Sequence, residues 1–585
     1  MQTLARDVCS SPDLAMPPPS PATRRLTGLA ALLALPACGD PGGPPATLGA
    51  DGTWAAMFRE PLPPEPPPDA AAPVFDPTTI ARVRLVMAAE AWQDLRDDPE
   101  ALRWHEATFY WQDERVARVG VRAFGNGSLI PGKPSLKLSF DRFVDDRRWR
   151  GLETLKFDNS KQDPTFLNEY VASGVLRAIG VPTNRTGWAT VEVNGDPAGF
   201  FVVLESVDDP FLVRWFGDDD GALYSNVPRR FGQGLLPTDR PLDYFDPQDR
   251  DTGDGTDLIA LAKIVASGSD AELAAAIDLP EFFRMSVTRS VLGAQDAFSA
   301  DGKNFYLYDD RGRWRILPWD FDYDLSALGV LDALAVDLRA PWTTSRWAYN
   351  AITGAPYHDP LLVRTLALGA DPDDVVAELL AGPLRWPAID DRVTAAAALI
   401  RDAVLADPLG HGPTFDRHVA ELRLFLHARL TQLAGREVAD CPAAPPGVLR
   451  AADLAFSGTV GWGELEVDGT STWGPGFINA GDHFCTGVFA HAPSRVTVDV
   501  PAGYGALTGR AGVLDWDAGC TNGATFTIRQ AGAILWHSGE LRRYDPAVPF
   551  GPLQVAPGPL ELRTDDLGQT DCDSTAWLDL ALAPA

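Results

Sequence analysis

Apolar and polar residues alternate along several segments between residues 80 and 205, as they do in strands with one buried face. The pattern predicts strands over residues 80–87, 116–124, 136–140, 188–193 and 200–205. Helical spacing predicts one helix around residues 91–95 and another over 168–179, which Gly180 and Pro182 end. The dipeptide Asn194-Gly195 is typical of a two-residue hairpin between the last two strands. The first part of the chain is therefore predicted to be a sheet.

Beyond residue 255 the apolar residues follow helical spacing. Helices are predicted over residues 257–266, 280–292, 373–380, 388–405 and 415–433. One strand pair, residues 305–308 and 314–317, interrupts them with a turn at 309–312. A β-rich part carrying one helix, followed by a helical part holding a polar hairpin, predicts an α+β architecture with two lobes. The cleft between such lobes suits a nucleotide.

The pattern changes again after residue 440. The Pro-rich segment 442–446 indicates a linker, and the segments beyond it are short, β-prone and separated by Gly, Pro and Asp. They lie at residues 496–500, 525–529, 534–536, 553–555 and 560–563. This organisation predicts a small all-β sandwich of about 130 residues.

The N-terminal segment is typical of an exported protein. Arg24 and Arg25 precede the apolar run 26–35, which is too short to span a bilayer but suits the core of a signal peptide. The run ends in Leu-Pro-Ala-Cys, which is similar to a lipobox, so Cys38 is the expected lipidation site. Translation starts at Met1 or at Met16, and a cleaved signal without lipid is the alternative to a lipoprotein. We therefore expect an exported protein, lipid-anchored to the bacterial cell envelope at the outer membrane or cell surface.

Residues 39–75 are rich in Pro, Ala and Gly, a composition that buries too little apolar surface to offset the entropy of ordering. The segment is predicted to be a disordered, extended tether. The predicted division of the chain is a signal peptide at 1–38, the tether at 39–75, a central domain at 76–440, a linker at 441–452 and the sandwich at 453–585.

Composition narrows the set of partners. The 585 residues include 50 basic and 80 acidic side chains, a formal net charge of −30, while 45% are hydrophobic and 22% charged. This charge repels nucleic acids and anionic membranes, so nucleic acid is excluded as a partner and membrane contact is expected only through the lipid. A nucleotide bound by such an acidic protein would need divalent cations between carboxylates and phosphates.

Cysteines beyond the N-terminal region are confined to the last quarter of the chain. Cys441, Cys485, Cys520 and Cys572 lie there, and their spacing does not match a zinc site. In an oxidising compartment they are expected to form two disulfides. Three pairings are open, of which we favour Cys441–Cys485 with Cys520–Cys572.

The polar residues around the predicted hairpin carry the chemical signal. Gln295 and Asp296 precede it, a Gly-Lys-Asn sequence at 302–304 opens it, and Pro-Trp-Asp-Phe-Asp at 318–322 follows it. Carboxylates before and after one hairpin approach each other at the same end, which suits metal ions held over a phosphate chain. The spacing therefore predicts phosphoryl transfer.

These motifs resemble the CotH family, whose members are similar to distantly related protein kinases. The resemblance covers residues 78–440 and includes the Gln-Asp pair, the strand at 304–308, the Pro-Trp-Asp-Phe-Asp motif and the hairpin 193–205. Upstream, residues 121–128 are similar to the family's Arg-x-x-Gly-Asn-x-Ser, and 133–138 to its Lys-rich strand. The chain lacks the Gly-rich loop, His-Arg-Asp and Asp-Phe-Gly motifs of ordinary kinases.

The resemblance implies a two-lobed, kinase-like fold and a role for each motif residue. Asp296 would be the catalytic residue that accepts the proton of the substrate hydroxyl. Asn304 and Asp320 would bind Mg²⁺ or Mn²⁺, and Asp322 would bind a metal ion or support the residues that do. The alternative for these residues is a structural role in the hairpin and its turns.

The upstream motifs imply contacts to ATP. Lys133 or Lys137 would neutralise its phosphates, with a slight preference for Lys133, and Glu169 would pair with that lysine or lie in solvent. Arg122 faces the phosphates or is structural. The remaining residues of the ATP-binding set, which would cover the phosphates, are Gly125, Asn126 and Ser128.

Two functions follow from the resemblance. In the first, the protein is an atypical kinase that transfers the ATP γ-phosphate to Ser or Thr of envelope or exported proteins. In the second, it is an inactive structural or adhesive surface lipoprotein that binds carbohydrate. The sequence leaves open whether the chain is an enzyme, although a scaffold does not need the retained Asp296, Asn304 and Asp320.

The last domain resembles the NPCBM family of carbohydrate-binding sandwiches. The similar segments are 487–494, 512–515 and 573–577. Trp516, Trp536 and Trp577 suit stacking on sugar rings, but Trp577 and His491 are better explained as core and turn residues. An acidic loop at 246–257, which suggests calcium, lacks the closing Glu of an EF-hand and is favoured to be solvated.

Overall fold

The computed structural model describes residues 54–227, 232–248, 254–327, 329–345, 356–434, 444–461, 465–467, 477–479, 482–484, 486–514, 523–542, 545–568 and 574–585. The predicted lipidation site Cys38 and the predicted pairs Cys441–Cys485 and Cys520–Cys572 lie outside these residues. Within them, none of the helices combines the length and the apolar character needed to cross a bilayer.

The N-terminal part is built from strands with a few helices between them. In chain order its elements are α1 Trp54–Met57, β1 Ile80–Met87, α2 Ala89–Asp97, β2 His105–Trp111, β3 Glu114–Ala123, β4 Leu136–Ser139, β5 Thr154–Asp158, α3 Asn168–Ala178, β6 Thr186–Val193, β7 Asp196–Glu205 and α4 Asp209–Phe216.

Strands β1 to β7 form a closed barrel in the order β1-β2-β3-β4-β5-β7-β6. The parallel pairing of β1 with β6 closes it, while the other neighbouring strands pair antiparallel. Alternate residues such as Val121, Leu138 and Leu155 are fully buried in one apolar cluster that fills the barrel. The residues between them face outward. The sequence predicted a sheet here but not its closure, and the structure does not establish the two-lobed kinase-like arrangement.

A mainly helical part with one small sheet follows. Its elements are β8 Leu223–Asn226, β9 Phe245–Pro247, α5 Thr256–Ser267, α6 Asp270–Ala276, α7 Leu279–Val291, α8 Phe298–Asp301, β10 Phe305–Asp310, β11 Arg313–Pro318, α9 Val330–Leu334, α10 Pro360–Ala367, α11 Pro372–Ala381, α12 Ala388–Leu405 and α13 Phe415–Leu433. The predicted hairpin is β10 and β11, which form a sheet of order β11-β10-β8-β9. Helices α3 and α7 contribute to the large apolar cluster of this part, and α7 is buried on nearly every side.

The folded region begins before the predicted boundary at residue 76. Met57 and Phe58 are buried in the helical core, and Phe58 packs against Phe283 at 5.5 Å between ring centroids. Glu65 and Asp69 then form ion pairs with arginines of the folded part, at 3.0 and 2.7 Å. Residues 54–75 therefore belong to the fold rather than to the tether. Met57, Phe58, Val74 and Phe75 are buried and Trp54 and Leu62 are half-buried, which the Pro-rich composition of the segment conceals.

The C-terminal part is all-β. Its strands are β12 Leu449–Arg450, β13 Phe456–Thr459, β14 Glu466–Val467, β15 Phe477–Asn479, β16 Asp482–Phe484, β17 Gly487–Phe489, β18 Ser494–Val500, β19 Tyr504–Val513, β20 Gly523–Gln530, β21 Ala533–Arg542, β22 Val548–Gln554, β23 Gly558–Asp565 and β24 Thr575–Pro584. One sheet has the order β14-β17-β24-β19-β22, with β12 on β24, and another has β13-β18-β23-β20-β21.

Trp577 lies at the centre of the C-terminal core. It is fully buried, and its ring centroid is 5.3 Å from that of Phe526 and 5.9 Å from that of Phe550. His491 is also buried, and its Nδ1 lies 2.7 Å from the carbonyl oxygen of Ala492. Trp577 and His491 are therefore core and turn residues, as favoured, whereas Trp516 lies outside the described residues.

Candidate functional site

The turn after β11, residues 319–324, is held by the first residues of α3. The side-chain amide of Asn168 donates to the carbonyl oxygens of Asp322 and Asp324, at 3.0 and 3.1 Å. The backbone N–H of Phe321 donates to the carboxylate of Glu169 at 2.9 Å. Asp320 adopts a left-handed conformation with φ of 60°, which lets the chain turn sharply there. Glu169, predicted to pair with a lysine or lie in solvent, is instead buried behind this turn.

Arg289 on α7 joins the loop of Asp296 to this turn. Its guanidinium donates to the carbonyl oxygens of Asp296 and Asp320, at 3.4 and 3.1 Å. It also donates to the carboxylate of Asp324 at 2.7 Å and lies 4.4 Å from the ring centroid of Phe321. Arg289 is only 3% exposed. Sequence reasoning missed this residue, whose only signal was a charged side chain among the apolar positions of a predicted helix.

Asn304 makes the second connection between the same loops. Its side-chain amide donates to the carbonyl oxygen of Asp296 at 3.0 Å, and its own carbonyl accepts the N–H of Trp319 at 3.0 Å. The Lys303 ammonium lies 3.3 Å from the carboxylate of Asp296. The structure thus brings Asp296, Asn304 and Asp320 together, although 24 positions of sequence separate the two aspartates.

The acidic side chains here repel one another. Burial raises the pKa of Glu169 to about 8, and the negative charge of Asp320 adds to this shift. Burial raises the pKa of Asp158 to about 6 and that of Asp322 well above its usual range, and Asp320 again contributes to both. These mutual shifts indicate an excess of negative charge around Asp320 that a bound cation would relieve.

The oxygen donors of Asp320, Asp322 and Asn304 are the ligand types that Mg²⁺ and Mn²⁺ prefer. In the described ranges, however, no group of three or more His, Cys, Asp or Glu side chains is arranged to hold a metal ion. Asn304, an amide, would be the third oxygen donor beside the two carboxylates. The types of these donors fit a divalent cation, but their arrangement in the described residues is not that of a formed metal site.

A row of cationic side chains lies on the outer face of the barrel. Arg122 on β3, Lys137 on β4 and Lys156 on β5 are direct neighbours across the strands. Burial lowers the pKa of Lys156 to about 7, with the charge of Lys137 as the second cause. Burial also lowers the pKa values of Lys137 and Arg122. We call these three residues the cationic row.

Lys156 is the member of the cationic row that lies next to the turn at 319–324, which we call the acidic turn. Its ammonium lies 3.8 Å from the ring centroid of Trp319, the residue before Asp320, and 3.5 Å from the hydroxyl of Tyr306. The charge of Glu169 acts on it and opposes the lowering of its pKa. The sequence predicted that Glu169 pairs with Lys133 or Lys137. The charge of Glu169 acts on Lys156 instead, a residue that sequence reasoning missed.

Lys133, the favoured phosphate ligand, is engaged elsewhere. Its ammonium lies 2.9 Å from the carboxylate of Asp407 and donates to the carbonyl oxygens of Asn159 and Phe200 at 3.1 and 2.7 Å. Lys133 is 4% exposed and the side chain of Asp407 is fully buried. Three acceptors satisfy the three donors of an ammonium group, so Lys133 has a structural role.

The turn at 125–128 is anchored beside the end of β5. The Asn159 side chain donates to the carbonyl oxygens of Ser128 and Lys133, at 3.0 and 2.7 Å. Gly125 has φ of 108°, a conformation that favours glycine. The N–H of Leu129 donates to the carbonyl of Asn126 at 3.3 Å. The predicted ATP-covering residues thus lie near Asp158, at the edge of the candidate site.

The acidic loop at 246–257 is described only in part, since Asp249 and Asp251 lie outside the described residues. The carboxylate of Asp257 accepts the hydroxyl of Tyr224 at 2.9 Å, and that of Asp254 accepts the N–H of Thr256 at 3.1 Å. The Asp254 contact lies at the start of α5, and the Asp257 contact joins this helix to β8.

A comparison with known protein families gives the family of the chain. A family model described as CotH kinase protein matches residues 121–433, more than half of the chain. The chain belongs to the CotH family. The match includes every residue of the candidate site, and β1 and β2 of the barrel precede it. In this CotH protein an NPCBM/NEW2 domain follows at residues 449–583.

Solved structures that resemble the CotH chain are distant. One is CBM51-2 with the INT domains of Clostridium perfringens ZmpB in complex with GlcNAc, at 19% identity and a TM-score of 0.21, covering 23% of this chain and 31% of that one. Another is CBM51 of Clostridium perfringens GH95 in complex with methyl-galactose, at 18% identity and 0.22, covering 23% and 99%. A third is the Shewanella oneidensis HipA and HipB complex with operator DNA, at 17% and 0.23, covering 50% and 61%. Scores of this size support no conclusion about fold or function.

The CotH chain covers less than a third of that ZmpB structure. A comparison with curated protein sequences gave no match.

Proposed function

We propose that the CotH part transfers the γ-phosphate of ATP to Ser or Thr of envelope or exported proteins. The observation that carries this proposal is the position of Lys156, which brings the cationic row against the acidic turn that also meets Asp296. Cationic side chains bind phosphate oxygens and carboxylates bind divalent cations, so a site for a metal-bound nucleotide needs both side by side.

In this proposal each part of the site has one task. Asp296 accepts the proton of the substrate hydroxyl, and Lys303 stabilises its negative charge beforehand. Asp320, Asp322 and Asn304 would hold Mg²⁺ or Mn²⁺, which neutralises charge on the phosphates when bound. The cationic row, with Lys156 in the place first given to Lys133, binds the phosphate oxygens. Arg289 holds the loops of Asp296 and Asp320 in fixed positions relative to each other.

The pKa of Lys156, about 7, has a consequence for nucleotide binding. At pH 8 much of this side chain is neutral, and a bound polyphosphate would favour its charged form. Phosphate binding at the cationic row is therefore coupled to proton uptake by Lys156.

Replacing Lys156 with Met should weaken ATP binding by about a hundredfold, because the variant loses the member of the cationic row that reaches the turn at 319–324 while keeping an apolar stem beside Trp319. The measurement is a titration of the full chain with ATP and Mg²⁺ by calorimetry at pH 7, followed by an assay with labelled ATP. Lys263→Met is the matched control, since Lys263 is exposed on α5. Equal ATP affinity in wild type and Lys156→Met would remove Lys156 from the site.

We also propose that the NPCBM part directs the protein to glycans, and that export and anchoring through Cys38 place it in the cell envelope. The family match supports carbohydrate binding by residues 449–583. A location next to surface polysaccharide would restrict phosphate transfer to envelope substrates, although ATP is scarce outside the cytoplasm.

The full chain should therefore be retained on at least one immobilised polysaccharide, while a chain ending at residue 440 should pass through. A pull-down on a panel of cell-envelope polysaccharides measures this. Retention of neither protein, or equal retention of both, would contradict glycan targeting by the C-terminal part.

A further inference from the structure

Residues 54–75, which we call the strap, join the two apolar cores of the CotH part. Near the start of the strap, Met57 and Phe58 are buried in the core of the helical part. At its end, Val74 and Phe75 are buried in the apolar cluster of the barrel. Because burial of apolar side chains is the main favourable term in folding, each end of the strap is held by a different core. The strap therefore links the barrel to the helical part.

The middle of the strap lies in a groove that two glycines keep open. Gly180 follows α3 with φ of 81°, and a Cβ atom there would lie 2.2 Å from the carbonyl oxygen of Pro63. Gly187 lies on β6, and a Cβ atom there would lie 2.7 Å from the carbonyl oxygen of Val74. Both distances are shorter than a carbon atom can approach an oxygen, so a side chain at either position would displace the strap. The groove thus fits the backbone of the strap closely.

Three arginines give this groove an excess of positive charge. Arg177 lies on α3, Arg185 precedes β6 and Arg214 lies on α4, and their side chains are 14%, 9% and 6% exposed. Glu205 at the end of β7 is 2% exposed and lies 2.7 Å from Arg185 and 3.0 Å from Arg214. One carboxylate cannot compensate three largely buried guanidinium groups, and an uncompensated buried charge is strongly unfavourable. The groove therefore needs anionic groups from the segment that occupies it.

The strap supplies two further carboxylates. An oxygen of Glu65 lies 3.0 Å from Arg177 and 3.5 Å from Arg214. The two oxygens of Asp69 accept both terminal nitrogens of Arg185, at 2.7 and 3.1 Å, which is the bidentate geometry that a guanidinium favours. With the strap in place, three carboxylates face three arginines. The groove is therefore complementary to the strap in charge as well as in shape.

We propose that the strap is a clamp that holds the barrel on the helical part and so fixes the distance between the cationic row and the acidic turn. The cationic row lies on β3, β4 and β5 of the barrel, whereas the acidic turn follows β11 of the helical part. Release of the strap lets the two parts separate, and a nucleotide bound between them then dissociates faster. This consequence rests on the proposed function, whereas the clamp itself does not.

The first test displaces the strap by a change in its groove. Gly180→Ala in the full chain places a methyl group against the carbonyl of Pro63. Gly217→Ala is the matched control, because Gly217 ends α4 with φ of 89° and has no atom within 4 Å of an added Cβ. Both variants carry the backbone strain of a left-handed alanine, but only the first displaces the strap.

Hydrogen exchange followed by mass spectrometry measures the displacement. Peptides from the strap should exchange at least about tenfold faster in Gly180→Ala than in wild type and at the wild-type rate in Gly217→Ala. Equal exchange of the strap in the two variants would overturn its fit to the groove.

A second variant removes the charges of the strap and keeps its shape. In Glu65→Gln with Asp69→Asn, the three arginines face Glu205 alone, so strap exchange should rise and the melting temperature should fall by several degrees. The control is Asp390→Asn with Asp416→Asn, which removes two ion pairs of similar length, to Arg423 and Arg401, at more exposed positions. It should lower the melting temperature less. An equal or larger loss in the control would show that the arginines do not depend on the strap.

The clamp itself is tested at a contact between the two parts. The N–H of Phe200 on β7 donates to the carboxylate of Asp407, which follows α12, at 2.6 Å. The peptide that contains Phe200 should exchange faster in Gly180→Ala and in the double charge variant, and at the wild-type rate in Gly217→Ala. Unchanged exchange of this peptide when the strap is displaced would overturn the clamp.

Nucleotide release gives a separate result that a purely structural strap would not change. Dissociation of a fluorescent ATP analogue in the presence of Mg²⁺ should be about tenfold faster from Gly180→Ala than from wild type or Gly217→Ala. Equal dissociation rates would overturn the link between the strap and the site. If wild type binds no nucleotide, the proposed function fails, while the exchange of the Phe200 peptide still decides whether the strap is a clamp.

Discussion

Replacing Asp320 with Asn should abolish phosphate transfer and at the same time raise the stability of the chain above pH 6. Loss of a metal-binding carboxylate is expected to reduce the rate by about a thousandfold, or roughly 4 kcal/mol of transition-state stabilisation. The stability gain arises because the charge of Asp320 raises the pKa values of Glu169, Asp158 and Asp322. Removing that charge removes part of the cost of ionising these groups.

The sign of the pH dependence follows from the direction of these shifts. A carboxyl group with a raised pKa loses stability as the pH rises from about 4 to its folded value, here about 6 for Asp158 and about 8 for Glu169. The gain of Asp320→Asn should therefore be absent near pH 4 and largest above pH 8. Thermal melts across this range and an assay with labelled ATP measure both effects.

Asp402→Asn is the matched control, since Asp402 is exposed on α12. It should change neither the rate nor the pH profile. Phosphate transfer by Asp320→Asn at the wild-type rate would show that Asp320 binds no cation. A stability profile identical to wild type would show that its charge does not act on its neighbours.

The second large effect is expected at Arg289. Arg289→Lys keeps a charge opposite Asp324 but has one terminal nitrogen, whereas the guanidinium bonds the carbonyl oxygen of Trp319 through Nη1 and those of Asp296 and Asp320 through Nη2. A lysine therefore cannot keep all of these contacts. We expect a loss of about 1 to 3 kcal/mol in the free energy of unfolding. We also expect at least a hundredfold lower transfer rate, since Asp296 and Asp320 lose their common support.

Arg284→Lys provides the comparison for Arg289→Lys. Arg284 lies on the same helix and is equally buried at 3% exposed, but it bonds Glu378 and the carbonyl of Glu60, away from the site. It should lose stability to a similar extent and keep the transfer rate per folded molecule. Denaturant unfolding and single-turnover assays on both variants test this. Equal transfer rates per folded molecule in the two variants would show that Arg289 has only a structural role.

Local patterns predicted most elements of the CotH part. The hairpin β10–β11 and the long helices α12 and α13 begin and end within a few residues of the predicted positions. These elements carry their own periodicity, caps and turns, so the neighbouring sequence specifies them. Closure of the barrel depends on the parallel pairing of β1 with β6, which lie about a hundred positions apart, and the local pattern contains no sign of it.

The choice of lysine shows the same limit within the site. The partner of Lys133, Asp407, is 274 positions away, so nothing near Lys133 indicated a buried ion pair. Lys156 lies on β5, a strand of five residues that was not predicted. The alternation of Leu155, Lys156 and Phe157 was the available signal, and it places the lysine on the face opposite the barrel core.

The motifs around the hairpin were more informative, because spacing in a hairpin fixes which residues meet. Asp296, Asn304 and Asp320 were expected to converge, and the structure brings their loops together through Asn304 and Arg289. Arg289 itself had no motif. Its role depends on the backbone carbonyl groups of Trp319, Asp296 and Asp320, which the identities of these residues do not reveal.

Closure of the barrel limits how the candidate site can open and close. Arg122, Lys137 and Lys156 are cross-strand neighbours inside a continuous ring of hydrogen bonds, so their backbone positions cannot move apart without breaking strand pairing. Any widening of the gap to admit a nucleotide must then shift the barrel as a rigid body relative to the hairpin. A crosslink between the barrel and the turn at 319–324 would thus hold the backbones of all three cationic residues at a fixed distance from that turn.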